Sequence, residues 1–149
     1  MNNLPPIDCV LRHDHGGITT LTLNHPQAYN VLSENMLTAL GQQLEAIAKD
    51  DKVRVVILAA NGKAFCSGHN LKQMRANPDF DYQHQLFTTC SQVMQQIMQL
   101  PQPVIAKVQG LATAAGCQLV ATCDMAVVVD TATFATSGIR VGLFCATPA

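Results

Sequence analysis

Charge is scarce in this sequence. Asp, Glu, Lys and Arg together make up 13% of its 149 residues, against 48% hydrophobic, and the formal net charge is −1. So apolar a chain can bury a core, which excludes intrinsic disorder. Its Lys and Arg residues are scattered, with no stripe for nucleic acid and no polybasic cluster for an anionic membrane surface. No apolar run approaches the roughly 20 residues of a membrane span. The opening Met1-Asn2-Asn3-Leu4-Pro5-Pro6 shows neither a signal-peptide nor a transit-peptide pattern. No C-x-x-C pair occurs among Cys9, Cys66, Cys90, Cys117, Cys123 and Cys145. They read as reduced thiols in a reducing compartment, several of them in core positions. The length fits one domain, and the low charge hints at surface that wants covering by further sequence or by other subunits.

What is present alternates between strand and helix patterns. Cys9 to His13 reads as an edge strand, and a turn at Gly16-Gly17 joins it to the β-branched run 18–23 as a hairpin. Ser33 is an N-cap for a helix to about Lys49, with Met36, Leu37, Leu40, Leu44, Ile47 and Ala48 on one face. Residues 53–60 are almost continuously apolar, as in a parallel strand buried on both faces, and Asn61-Gly62 ends the run. A second helix fits 83–100, with Leu86, Cys90, Val93, Ile97 and Leu100 inward. Residues 103–108 give a strand, 114–122 a third helix, 124–129 another strand, and Phe134 begins one more. The order implies right-handed βαβ crossovers and an α/β fold.

Two glycine-bearing loops follow strands, at 63–72 and at 110–118. Neither is a P-loop, because no G-x-x-x-x-G-K-[ST] is present. The second opens a helix whose first amides, around Ala114, Ala115 and Gly116, have no intrahelical partner and sit at the positive end of the helix dipole. Small residues there would let an external oxygen reach the backbone, which is the equipment of an oxyanion hole. The same residues would also serve merely to pack a helix tightly on a sheet.

Taken together, the blocks resemble the crotonase (enoyl-CoA hydratase/isomerase) superfamily. Pro26-Gln27-Ala28-Tyr29-Asn30-Val31-Leu32 is similar to its first coenzyme-A loop. Val55-Val56-Ile57-Leu58 with Ala64-Phe65-Cys66-Ser67-Gly68-His69-Asn70-Leu71 is similar to its strand and first oxyanion loop. Residues 103–124 resemble its second oxyanion loop and helix, and Phe134 to Gly142 the segment of its second catalytic carboxylate. Gly68-His69, Ala112 to Leu119 and Gly142-Leu143-Phe144-Cys145 look most like the branch called enoyl-CoA hydratase domain-containing protein, third type. The resemblance implies a crotonase-like (ClpP/crotonase) α/β spiral of repeated ββα units. It also implies that residues 1–149 form the amino-terminal portion of such a domain, with the carboxyl-terminal part and trimerisation helices missing.

Position by position, the resemblance makes the backbone amides of His69 and Ala115 the two oxyanion donors. The main-chain atoms of Ala28, Tyr29, Ser67 and Leu71 would line the coenzyme-A path. The substrate would be an acyl-CoA or enoyl-CoA thioester, with coenzyme A entering as part of it and no separate cofactor. Where the family has two catalytic glutamates, this sequence has Gln118 and Gly138. Glutamine has no titratable proton and glycine no side chain, so standard hydration is expected to be weak or absent.

The remaining titratable candidates near these loops are Asp124, Asp130, Arg140 and the His69 side chain. Asp124 reads as a structural cap rather than a base, and Arg140 as a loop cation or a partner for an acidic acyl group. The His69 ring would serve as a base if it turns into the pocket. His13 and His15 have strand-like spacing but no third ligand nearby, so no metal site is expected. A nucleophilic thiol at Cys66 or Cys117 would need a cationic or dipolar neighbour, which favours Cys117 in the first turn of its helix.

The expected function is acyl-CoA handling in fatty-acid metabolism through a backbone oxyanion hole. The alternatives are a non-catalytic acyl-CoA binder and an inactive truncated product. The family implies a homo-trimer or hexamer, cytoplasmic in a bacterium or in the mitochondrial matrix of a eukaryote. Family chains are commonly nearly twice as long, so strands lacking cover should make 149 residues poorly stable or strongly associating.

Overall fold

Strict alternation in the run 18–23 sets the geometry of the larger sheet. Leu21 and Leu23 are fully buried and Thr19 nearly so, while Thr20 and Thr22 face the other way. A computed structural model of the protein describes residues 8–142. Strand β1 (Val10–His15) pairs antiparallel with β2 (Ile18–Leu23) through the turn at Gly16-Gly17, as the hairpin pattern predicts. Strands β3 (Val55–Ala60), β5 (Val104–Val108) and β7 (Met125–Val128) then add in parallel, in the order β1-β2-β3-β5-β7.

The register brings Leu21, Leu58 and Ala106 into one row and Thr19, Val56 and Val104 into the next. These rows face the core. The opposite row, Val55, Ile57 and Ala59, is only half-buried. The expectation that β3 is buried on both faces is therefore wrong: one face meets the core and the other is partly open. Strand β7 departs further, since all four of its residues are exposed.

A second sheet was not evident in the sequence. Strands β4 (Ala64–Cys66), β6 (Leu111–Thr113) and β8 (Phe134–Ala135) form it, all parallel, in the order β4-β6-β8. From β3 onward, each turn of the chain thus gives its first strand to the large sheet and its second to the small one. Residues 64–66 and 111–113 fall within the two segments that the sequence presents as loops. At three residues each, they are too short for a two-residue period to show.

Helix α1 (Glu34–Ala48) starts at Ser33, whose hydroxyl accepts from the Met36 amide at 3.2 Å, and it buries Met36, Leu37, Leu40, Leu44 and Ile47. Ala48, assigned to that face from the sequence, is exposed. The short α2 (Leu71–Ala76), absent from the sequence reading, is capped by Asn70, which accepts from the amides of Lys72 and Gln73. Helix α3 (Phe80–Gln99) begins three residues before the expected 83, because Asp79 caps it through the Tyr82 amide at 2.8 Å. Its buried stripe is Leu86, Cys90, Val93, Met94 and Ile97, and it packs on α1. Helix α4 (Ala115–Thr122) follows β6 directly. Leu143, Phe144 and Cys145, along with residues 1–7, lie outside the described residues.

Candidate active site

The small sheet points the carboxyl ends of its three strands the same way, and in α/β structures ligands gather at such ends. Here those ends are joined. The Ala114 amide donates to the Ala135 carbonyl at 2.8 Å, and the Thr113 and Ser137 hydroxyls lie 2.7 Å apart. The loop after β4 meets the loop after β6 through glycine. Gly68 has φ +86°, and a Cβ placed on it would stand 3.1 Å from the Thr113 oxygen and 3.3 Å from the Ala115 nitrogen. Gly116 closes the second contact, since a Cβ there would lie 2.1 Å from the Cys66 carbonyl oxygen. Only glycine lets α4 lie this close to β4.

The chain between β2 and α1 is tied to the same place. The Leu32 amide donates to the Gly68 carbonyl at 2.8 Å and the Ser67 amide to the Tyr29 carbonyl at 3.1 Å. Behind these bonds sits Asn30, fully buried, in left-handed backbone at φ +52°. Its side chain accepts from the His25 amide and donates to the carbonyls of Asn61 and Ala64, at 2.7, 2.8 and 2.9 Å. Sequence reasoning missed this residue's role; Asn next to a loop tyrosine carries no period or spacing that would reveal it.

Ala114 adopts φ +51° and ψ −124°, a conformation that suits glycine far better than alanine. It turns the chain so that α4 starts at the cleft wall. Among the described residues, neither the Ala115 amide nor the His69 amide donates a backbone hydrogen bond.

These loops surround a cleft of about 960 Å³. All eight site residues expected from the sequence line it: Ala28, Tyr29, Ser67, His69, Leu71, Ala115, Gln118 and Gly138. Arg140 lines it as well, though its residue is exposed. The far wall is built by Met74, Phe87, Cys90 and Ser91 from α2 and α3, which the sequence gave no reason to place there. Among the described residues, no Asp or Glu occurs in the lining. The cleft is thus largely apolar, with Lys72 and Arg140 in its lining.

The other candidates fall elsewhere. Asp124 accepts from the Val104 amide at 2.7 Å, so it pins β7 to β5 as a structural group, as expected. Asp130 is exposed and away from the lining. Cys66 is fully buried, and burial pushes its thiol up to about 12, which removes it as a nucleophile at neutral pH. Cys117 is half-buried and outside the lining. His13 and His15 are exposed on β1. Among the described residues no three His, Cys, Asp or Glu side chains group as metal ligands, and no helix is long and apolar enough to cross a membrane.

A family model described as enoyl-CoA hydratase/isomerase matches residues 13–148. The chain belongs to the enoyl-CoA hydratase/isomerase family. It is 50% identical over 139 residues to the mitochondrial enoyl-CoA hydratase domain-containing protein 3 of Xenopus laevis, covering 93% of this chain and 47% of that protein. Its structure superposes on an enoyl-CoA hydratase of Mycobacterium smegmatis with a TM-score of 0.92 at 59% identity, covering 94% of this chain and 55% of that one. The crystal structure of human enoyl-CoA hydratase domain-containing protein 3 gives 0.90 at 46% identity, with the same coverages. The fold is therefore crotonase-like. The chain spans about half the length of the curated relatives it matches.

Proposed function

We propose that this member of the enoyl-CoA hydratase/isomerase family binds an acyl-CoA or enoyl-CoA thioester along the cleft. The thioester oxygen lies between the amides of His69 and Ala115, and no pair of carboxylates is at hand to hydrate the substrate. One observation supports this reading above the rest: the eight residues marked by family resemblance line a single cleft whose lining contains no Asp or Glu.

The chemistry follows from the amides. As an acyl thioester reacts at its α-carbon, negative charge collects on the carbonyl oxygen. Two fixed N–H donors, one of them at the start of α4, favour that charge, and each is typically worth about 100- to 1000-fold in rate. Hydration needs more, namely a base to activate water and an acid to protonate carbon. Gln118 and Gly138 supply neither, and general acid–base groups typically contribute about 100- to 10,000-fold. Gln118 remains able to orient a water or a substrate carbonyl. The same lack of carboxylates favours a second reading, a binder that holds acyl-CoA without turning it over. A role in fatty-acid metabolism, a trimeric or hexameric assembly and, in a eukaryotic source, a mitochondrial setting are further parts of the proposal, the last following the mitochondrial relatives.

Calorimetric titration with butyryl-CoA and loss of enoyl absorbance from crotonoyl-CoA test it together. Saturable binding with hydration far below that of glutamate-bearing relatives is expected. Rapid hydration would overturn the assignment of Gln118 and Gly138, and failure to bind any acyl-CoA would overturn the thioester site.

A further inference from the structure

With the carboxylates gone, the cleft's other ionisable side chains decide what chemistry is left. Tyr29, His69, Lys72, Cys90 and Arg140 line it. Lys72 and Arg140 are cations, and burial pushes the Cys90 thiol up to about 11. Among the described lining residues, only His69 offers a lone pair suited to taking a proton near neutral pH.

Its placement is specific. The ring packs edge-on against Phe87, with centroids 4.9 Å apart and planes at 70°. That contact, on a wall of the cleft formed by α3, holds the imidazole inward rather than in solvent. Nδ1 is buried and has no hydrogen-bond partner, and the Leu32 backbone is a polar neighbour of the ring. Nε2 is not among the buried, unpartnered atoms and the residue lines the cleft, which leaves Nε2 as the nitrogen for a ligand. Because the same residue presents one of the two amides, its ring is covalently tied to a group proposed to hold the thioester oxygen.

We infer that the His69 imidazole is the proton carrier of this site, removing and returning a proton at the α-carbon of a bound acyl thioester. The inference rests on the thioester reading above. The α C–H bond breaks and its proton moves to Nε2. The bonding pair passes into the thioester as an enolate whose oxygen the two amides hold, and the ring then returns a proton to carbon. Nothing else is consumed. The site therefore fits reactions needing one base and no activated water, namely proton shifts and epimerisation next to the thioester.

Butyryl-CoA in deuterium oxide isolates the step, because a saturated thioester has no double bond to hydrate. Mass spectrometry should find deuterium entering the α-position, faster as pH rises and levelling off by neutral pH. Desolvation holds His69 below its ordinary 6.5, the Leu32 carbonyl opposes this weakly, and among the described residues no acidic group faces the ring. H69Q keeps the amide and should lose exchange by at least about 100-fold while still binding butyryl-CoA. Binding without exchange in the unaltered protein, or full exchange in H69Q, would overturn the inference and leave the thioester site standing. Loss of binding in the unaltered protein would instead defeat the site itself. The pH profile of the unaltered protein is a readout that needs no folded variant: exchange that does not rise from acid to neutral pH contradicts a histidine base.

Discussion

At the scale of single residues, Ala114 is under the clearest strain. Its φ of +51° is left-handed territory where a Cβ costs about 1–2 kcal/mol. Ala114→Gly should therefore stabilise the protein by roughly 1 kcal/mol, read as a higher midpoint in urea denaturation. A lower midpoint would show that the methyl packs well enough to outweigh its backbone. His69 gives a second residue-level expectation. Burial lowers its pKa in the folded protein, so the unfolded chain takes up a proton more readily as the solution is acidified. The stability that depends on a neutral ring is complete above about pH 6.5 and is lost as pH falls from there through the lowered folded value. Denaturation midpoints should drop across that window and drop less in H69Q. Equal slopes in the two proteins would mean that the ring titrates normally.

At the scale of elements, the loops are held by contacts the sequence barely advertises. Asn30 bridges three backbone groups across two loops. Asn30→Ala leaves them unpaired and should cost roughly 1–3 kcal/mol, measured by the same denaturation. Gly116→Ala drives a methyl into the Cys66 carbonyl, so α4 must lift from β4. A loss of about 1–3 kcal/mol or more is expected, together with weaker butyryl-CoA binding, because the Ala115 amide rides on that helix. Unchanged stability in either variant would contradict the close approach of these loops. Helix α1 and strand β2 were legible because each presents enough turns or alternations for a period to emerge, with Ser33 marking the start of α1. Helix α2 and strands β4 and β6 were not, because three to six residues hold less than two full periods. The early start of α3 is carried by the Asp79 cap, which lies outside the apolar stripe that marks the rest of the helix.

At the scale of the molecule, β7 is an edge strand with Met125, Val127 and Val128 exposed, and Phe134 and Ile139 are exposed as well. An apolar edge with unpaired backbone groups invites association. Sedimentation should show mass rising with concentration, and Val127→Lys should reduce it. A monomer at all concentrations would contradict that expectation. The eight residues that family spacing marks all fall in the lining of one cleft. The sequence did not locate the helical wall of Phe87, Cys90 and Ser91, since helix periodicity says which residues lie together but not which cleft they border.

The central claim is that two main-chain amides converge on a thioester oxygen with no carboxylate opposite. Infrared difference spectroscopy of butyryl-CoA labelled with carbon-13 at the carbonyl reads this directly. Binding should move the thioester carbonyl stretch to lower frequency, as two donors polarise the bond. A bound ligand whose carbonyl absorbs where it does in water would contradict the account.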